Sequence, residues 1–105
     1  MISAGSGRHG VWLREMRHGD DIVLFLGGGE RPHLGSVVLC EPGKKPRIIN
    51  RKGHFDWMVA KPIASIVCMK RKRPVVCIAG IHVDDAKKED IEILKKNCKL
   101  LEDKL

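Results

Sequence analysis

The stretch that decides the fold is Val75-Val76-Cys77-Ile78-Ala79, a continuous apolar run of strand length. A strand with one face in water alternates apolar and polar residues, whereas a strand covered on both faces stays apolar throughout. The basic run Lys70-Arg71-Lys72-Arg73 and Pro74 come before it, and the loop Gly80 to Asp85 follows it. The run therefore predicts a central strand, covered on both faces, between two helices of the sequence.

The helix after this strand has a regular apolar stripe. Its members step by three or four positions, and they are Ile91, Leu94, Cys98, Leu101 and Leu105. Such spacing is typical of an amphipathic helix, and Asp85 is a suitable N-cap for it. Before the strand, helical spacing of apolar residues predicts a helix over Asp56 to Lys70. Pro62 has no N–H to donate, so we expect a defect in that helix near Lys61-Pro62.

The first half of the chain has the pattern of strands and turns. Four strands are predicted, at Gly10 to Met16, Asp21 to Leu26, Leu34 to Cys40 and Arg47 to Asn50. The first two are joined by Arg17-His18-Gly19-Asp20, which favours a tight turn and an antiparallel hairpin. Gly27 to Gly29 are expected to end regular structure. The order ββββ-α-β-α predicts an α+β fold, a mostly antiparallel sheet with two helices packed on it.

The length of 105 residues is that of one domain. We expect a disordered lead over residues 1–9 and a single domain over residues 10–105. Apolar stretches are far shorter than the roughly 20 residues that span a bilayer, and Met1 to Gly10 has no apolar core for export, so a cytoplasmic protein without a membrane segment is expected. The four cysteines form no CxxC pair and lie among apolar residues, which predicts buried reduced thiols.

Three segments place glycine beside histidine, and they are the candidate binding segments. Glycine lets a backbone approach a ligand closely, and successive N–H groups can bind an anion. An arginine holds a phosphate or carboxylate with two parallel bonds, and histidine titrates near neutral pH. The candidate residues are Gly28, Gly29, Arg31, His33, Gly53, His54, Gly80, His82 and Asp84. If the segments converge, Arg31, His33, His54 and His82 line one pocket, within one chain or across a dimer. The alternative is flexible turns with ordinary surface histidines.

Taken together, these segments resemble the LpdD-like prenylated-flavin chaperone family. That family has a similar Gly-Gly-x-x-Pro-His-x-Gly segment, here Gly28 to Gly35, and a Gly-His before its first helix, here Gly53-His54. It also has a Val-rich strand that ends in Ala-Gly-Ile-His-x-Asp, here Val75 to Asp84. The resemblance runs from about Val11 to Leu105. It implies a proteasome-assembly-chaperone-like fold and a non-catalytic accessory role: binding or delivering prenylated FMN or FMN, or assisting maturation of a UbiD-type decarboxylase.

Two other classes of function remain open. A net charge of +7 and three basic clusters favour anionic partners, so a nucleic-acid-binding domain is the alternative. Against it, the chain has only two Trp and two Phe, no Tyr, and no signature of a known nucleic-acid-binding module. The third class is a small enzyme that uses His82, His33 or His54 as acid and base. No serine lies in a nucleophile elbow, and we predict no catalytic activity.

We also predict a homodimer. At least one sheet edge is expected to be exposed, and such edges invite pairing about a twofold axis. The middle helix holds more apolar residues than one buried stripe needs, and leftover apolar surface usually marks an interface. These residues are Trp57, Met58, Val59, Ile63, Ile66, Val67, Cys68 and Met69. The alternative is that Pro62 breaks the helix and both halves fold inward.

Overall fold

The computed structural model describes all 105 residues. The strands are β1 (Ile2–Ala4), β2 (Val11–His18), β3 (Asp21–Gly29), β4 (Arg31–Cys40), β5 (Arg47–Asn50) and β6 (Val75–His82). The helices are α1 (Trp57–Arg71) and α2 (Lys88–Asp103), and a 3-10 turn covers Gly7–His9. Neither α1 nor α2 combines the length and the apolar content that a membrane-crossing helix needs.

All six strands form one sheet in the order β1-β2-β3-β6-β4-β5. The apolar run that begins at Val75 is therefore central, as predicted, and β2 and β3 form the predicted antiparallel hairpin. β3 and β6 run parallel, with Leu24 opposite Cys77, and the other neighbouring strands are antiparallel. The predicted α+β fold with two helices is confirmed, and its sheet is mixed, because the chain returns from β5 through α1 before it enters β6.

The structure differs from the predicted disordered lead over residues 1–9. β1 adds a fifth strand before α1, because Ile2 pairs with Leu13 of β2. Asn97 of α2 donates a hydrogen bond to the carbonyl of His9 at 2.8 Å, which ties the 3-10 turn to the helix. A strand of three residues has too little local pattern to be recognised, and its order comes from these distant partners.

One face of the sheet carries the core. Strand registers align its buried side chains in rows across the four inner strands, for example Leu13, Leu26, Ala79 and Ser36. Both helices cover this face, with Ile63 of α1 and Leu101 of α2 fully buried in the same cluster.

The opposite face of the sheet is not covered by any element of the chain, and we call it the open face. Side chains alternate along a strand, so the residues between the core positions point to it. Its half-buried apolar residues are Trp12, Val23, Phe25, Val37, Leu39, Val76 and Ile78. The exposed Met16 and Ile49 lie on the same face. The expectation that β6 is covered on both faces is therefore wrong within one chain: β6 is apolar on its second face although no helix lies there.

Helix α1 continues through Pro62 without a break. The predicted defect is limited to one missing backbone hydrogen bond, because Pro62 has no N–H to donate to the carbonyl of Met58. The face with Ile63 and Val67 is buried, and the exposed large apolar residues of the helix are Met58 and Met69, at its opposite ends. Helix α1 therefore leaves less continuous apolar surface than its sequence predicts.

Helix α2 begins later than predicted. Asp85 does not cap it but lies in the preceding turn with φ of 51°. The first turn is closed by Asp90, whose carboxylate accepts the backbone N–H of Lys87 at 2.8 Å.

All four cysteines are buried and none forms a disulfide, which confirms the predicted buried thiols. Burial raises the pKa of the Cys77 and Cys98 thiols to about 12. These thiols therefore stay protonated at neutral pH and behave as small apolar side chains.

Candidate functional site

The structure brings the three glycine–histidine segments together within one chain. The ring of His33, from β4, lies with its centroid 4.9 Å from the ring of His54, in the loop before α1. Its centroid is also 5.6 Å from the ring of His82, at the end of β6. Three side chains separated widely in sequence thus form one cluster, which we call the histidine cluster.

Glycines make this convergence possible by close packing. Strand β4 shifts its register against β6 between Pro32 and Ser36, which brings the His33 backbone over β6. A Cβ atom on Gly80 would overlap the carbonyl oxygen of His33, and one on Gly35 would overlap the carboxylate of Asp56. Only glycine at these two positions lets the segments meet.

Asp56 is the site residue that the sequence-based prediction missed. Its Oδ1 accepts the backbone N–H of Ile81 at 3.0 Å. Its Oδ2 lies 3.8 Å from His33 Nε2 and 3.9 Å from His54 Nδ1. Asp56 stands at the N-cap of α1, yet its side chain makes no capping hydrogen bond. A possible signal in the sequence was its place two residues after Gly53-His54, directly before a helix.

Asp84 holds the third histidine in place. Its Oδ1 lies 2.8 Å from His82 Nε2 and 3.4 Å from the Arg31 guanidinium. The hydrogen bond from His82, and then the charge of Arg31, lower the pKa of the Asp84 carboxyl. Because Asp84 is negative and exposed, it is suited to orienting His82 and not to receiving an anion.

A cavity of about 550 Å³ opens beside the histidine cluster. This volume lies within the range of about 300–1,000 Å³ that is usual for small-molecule sites. His33, Gly53, His54, Asp56 and His82 form its polar part. The remaining lining residues are Phe55, Met58, Val59, Ile81, Val83, Ala86, Ile91, Leu94, Lys95 and Cys98. The cavity therefore joins a polar end to an apolar wall supplied by both helices.

The mouth of the cavity is apolar and exposed. Phe55 is 70% exposed and Met58 is 47% exposed, although both are large apolar residues. Ile91, assigned to the core stripe of α2 from the sequence, is 45% exposed and also lines the cavity. Large exposed apolar side chains at a cavity mouth often mark a binding surface, because covering them with a ligand or partner lowers the free energy.

Five of the candidate residues do not line this cavity. Gly28 and Gly29 belong to β3 and have positive φ angles of 143° and 71°. A Cβ atom would meet backbone atoms of the neighbouring strands at both positions, so these glycines serve strand packing and form no anion-binding loop. Gly80 acts in the same way, while Arg31 and Asp84 form the ion pair beside His82. The segment predicted as a glycine loop is thus the end of β3 and the start of β4, and the two strands are joined at Glu30 across the end of β6, which lies between them in the sheet.

Several basic residues pair with carboxylates. Arg47 lies 2.6 Å and Lys44 3.4 Å from the carboxylate of Glu41. Arg71, at the end of α1, pairs with Glu15 at 2.9 Å. The basic clusters are therefore partly neutralised by the chain's own acidic groups.

Comparisons with known proteins agree with this architecture. The sequence profile of a family described as "Prenylated flavin chaperone LpdD-like domain" matches residues 5–105. None of the curated proteins matches the chain. Among solved structures, a chain of a chaperone complex for yeast 20S proteasome assembly is 18% identical, with a TM-score of 0.53 over 99% of this chain and 95% of that chain. At this identity the likeness concerns the fold alone, and it confirms the proteasome-assembly-chaperone-like fold.

Proposed function

Because the chain belongs to the prenylated flavin chaperone LpdD-like family, we propose that it binds prenylated FMN in the cavity beside the histidine cluster and delivers it to a UbiD-type decarboxylase. The observation that carries this proposal is the cavity itself, which joins an apolar wall to a polar end. A prenylated flavin has apolar and polar parts that match those of the cavity, because it carries a flat apolar ring system at one end and a phosphate at the other. FMN shares most of this chemistry and is the simpler ligand for the same site.

The histidines and Lys95 of the cavity suit an anionic ligand, and Asp56 is the one acidic residue in its lining. His33, His54 and His82 can donate hydrogen bonds to phosphate or to the carbonyl oxygens of a flavin ring. Lys95 adds a positive charge on the side of α2. In this proposal Gly53 and the histidines contact the ligand. Gly28, Gly29 and Gly80 allow the close packing, and Arg31 with Asp84 orients His82.

The shape of the site favours delivery over catalysis. A carrier must release its ligand, and a cavity whose mouth is formed by exposed Phe55 and Met58 leaves part of the ligand accessible to a partner. Both the family and the structural neighbour are described as chaperones. We therefore propose a non-catalytic protein that works in the cytoplasm beside the decarboxylase it serves.

A maturation assay tests this function. The chain loaded with prenylated FMN is mixed with a cofactor-free UbiD-type decarboxylase, and the recovery of decarboxylase activity is followed. We expect faster recovery than with the same amount of free prenylated FMN, and a loss of most of this advantage with His54→Ala. His18→Ala is the control, because His18 is exposed in the distant β2–β3 hairpin. Equal recovery with and without the chain would rule out delivery.

We further propose that two copies pair through the open face. Its partly exposed apolar residues include Phe25, Val37 and Ile78, which lie side by side on three adjacent strands. Ile49 on the edge strand β5 extends this surface and is 74% exposed. When this face packs against the same face of a second copy about a twofold axis, the same apolar residues of both chains are removed from water. Compared with the middle helix, the open face offers more continuous apolar surface for the predicted homodimer.

A further inference from the structure

Two histidines and one aspartate at the polar end of the cavity have the arrangement of metal ligands. One ring nitrogen of His33, one ring nitrogen of His54 and one carboxylate oxygen of Asp56 all lie within 4.8 Å of one another. The two histidine-to-carboxylate distances, 3.8 Å and 3.9 Å, are too long for hydrogen bonds. The three groups therefore face one another across a gap and are not bonded to each other.

The gap has nearly the size that a metal ion needs. Bonds of about 2.0–2.2 Å from zinc to nitrogen and oxygen hold neighbouring ligand atoms roughly 3.3–3.5 Å apart in a tetrahedral site. Side-chain rotations that move each ligand atom by less than about 1 Å would bring the three atoms to this spacing. His33 Nε2 now lies 3.3 Å from the carbonyl of Ile81, and it would exchange this contact for the metal.

Backbone hydrogen bonds hold the ligand groups in place. The second oxygen of Asp56 accepts the Ile81 N–H, which fixes the direction of the free oxygen. The loop that carries His54 is also fixed, because its N–H donates to the carbonyl of Arg51 at 3.0 Å and its carbonyl accepts a hydrogen bond from the Asn50 side chain. Outer contacts of this kind orient the ligands of protein metal sites. All three ligand residues are half-buried, so the site is accessible from the cavity.

We propose that His33, His54 and Asp56 bind one divalent first-row transition-metal ion, represented by Zn²⁺, with at least one coordination position open to the cavity. Two imidazoles and a carboxylate suit Zn²⁺, Fe²⁺ and Co²⁺, and sites with three protein ligands usually accept water or another ligand in the remaining position. No cysteine belongs to this group of three ligand residues. The same three residues line the cavity of the proposed function, but the metal site rests on its own geometry and does not require a flavin.

Equilibrium dialysis of the full chain against Zn²⁺ tests the site in the absence of flavin. The protein is first freed of metal with a chelator, and bound zinc is then measured per chain. We expect one ion per chain, and an affinity at least tenfold weaker in His33→Ala and in His54→Ala, since even an outer-shell change costs about 10–100-fold. Zinc should also raise the melting temperature of the unaltered chain and not that of the variants.

His18→Ala is the matched control, and it should bind zinc as the unaltered chain does. His54 lies in a loop, so its variant should keep the circular dichroism spectrum and melting temperature of the metal-free protein. Absence of stoichiometric zinc, or equal affinity in the unaltered chain and in His54→Ala, would overturn the proposal. A flavin titration of the chelator-treated chain is run in parallel. Flavin binding without zinc binding would rule out the metal site and leave the proposed function standing. Zinc binding without flavin binding would rule out the proposed function and leave the metal site standing.

Discussion

Gly80→Ala is expected to lower the free energy of unfolding by about 3 kcal/mol, at the upper end of the usual cost of overpacking. The added methyl group would overlap the carbonyl of His33, which is backbone and cannot turn away. Strand β4 must then move off β6 at the point where the histidine cluster is assembled. The variant should therefore also lose at least about 90% of its affinity for prenylated FMN. Urea unfolding and a flavin titration measure the two effects.

The matched control for this variant is Gly10→Ala. A Cβ atom on Gly10 would come no closer than 3.3 Å to another atom, so this change should cost less than about 1 kcal/mol. The close approach of β4 would be the wrong explanation for the glycine at position 80 if both variants were equally stable.

Ile78→Lys is expected to convert the proposed homodimer into a monomer. Ile78 lies in the middle of the open face, between Phe25 and Val37. In a dimer this substitution would bury one unpaired ammonium group from each chain. The cost of burying these charges is far larger than the stabilisation that apolar contacts around position 78 provide. In the monomer the new ammonium group would reach water. Analytical ultracentrifugation at micromolar concentration measures the change, from twice the chain mass to 11.8 kDa.

Ile93→Lys is the control for this change. It introduces the same charge on α2, where Ile93 is already 40% exposed, and it should leave the dimer intact. If the unaltered chain is a monomer, the proposed dimer is ruled out. If Ile78→Lys is still a dimer, the interface does not lie on the open face.

Elements with a strong local pattern could be predicted from the sequence. The run at Val75 was recognised by its continuous apolar composition and helix α2 by its helical periodicity. Both elements exist in the structure, although α2 begins at Lys88 and Ile91 of the predicted stripe is 45% exposed. Strand β1 has only three residues, so its pairing with β2 depends on contacts that no local pattern records. The open face was missed for a similar reason. An apolar strand residue has the same appearance in the sequence whether a helix, a second chain or water lies over it.

The candidate site shows the same division. The sequence marked three segments that could converge, and His33, His54 and His82 do meet within one chain. Arg31, which was expected in the same pocket, does not line the cavity. Asp56 was missed because an aspartate before a helix is normally an N-cap, and only its direction toward Ile81 and the histidines gives it another role. Gly28 and Gly29 were assigned to a loop, since glycine runs usually end strands. In the structure they stay in β3 because neighbouring backbone fills the space of a side chain.

A fluorescence titration of the chain with prenylated FMN and with FMN tests the central claim most directly. We expect saturable binding of one flavin per chain, weakened at least tenfold, or about 1.4 kcal/mol, by Met58→Glu at the cavity mouth. Met69→Glu places the same charge at the other end of α1, where the residue is 73% exposed, and should bind as the unaltered chain does. Absence of saturable binding, or equal binding by the two glutamate variants, would contradict a flavin site in this cavity.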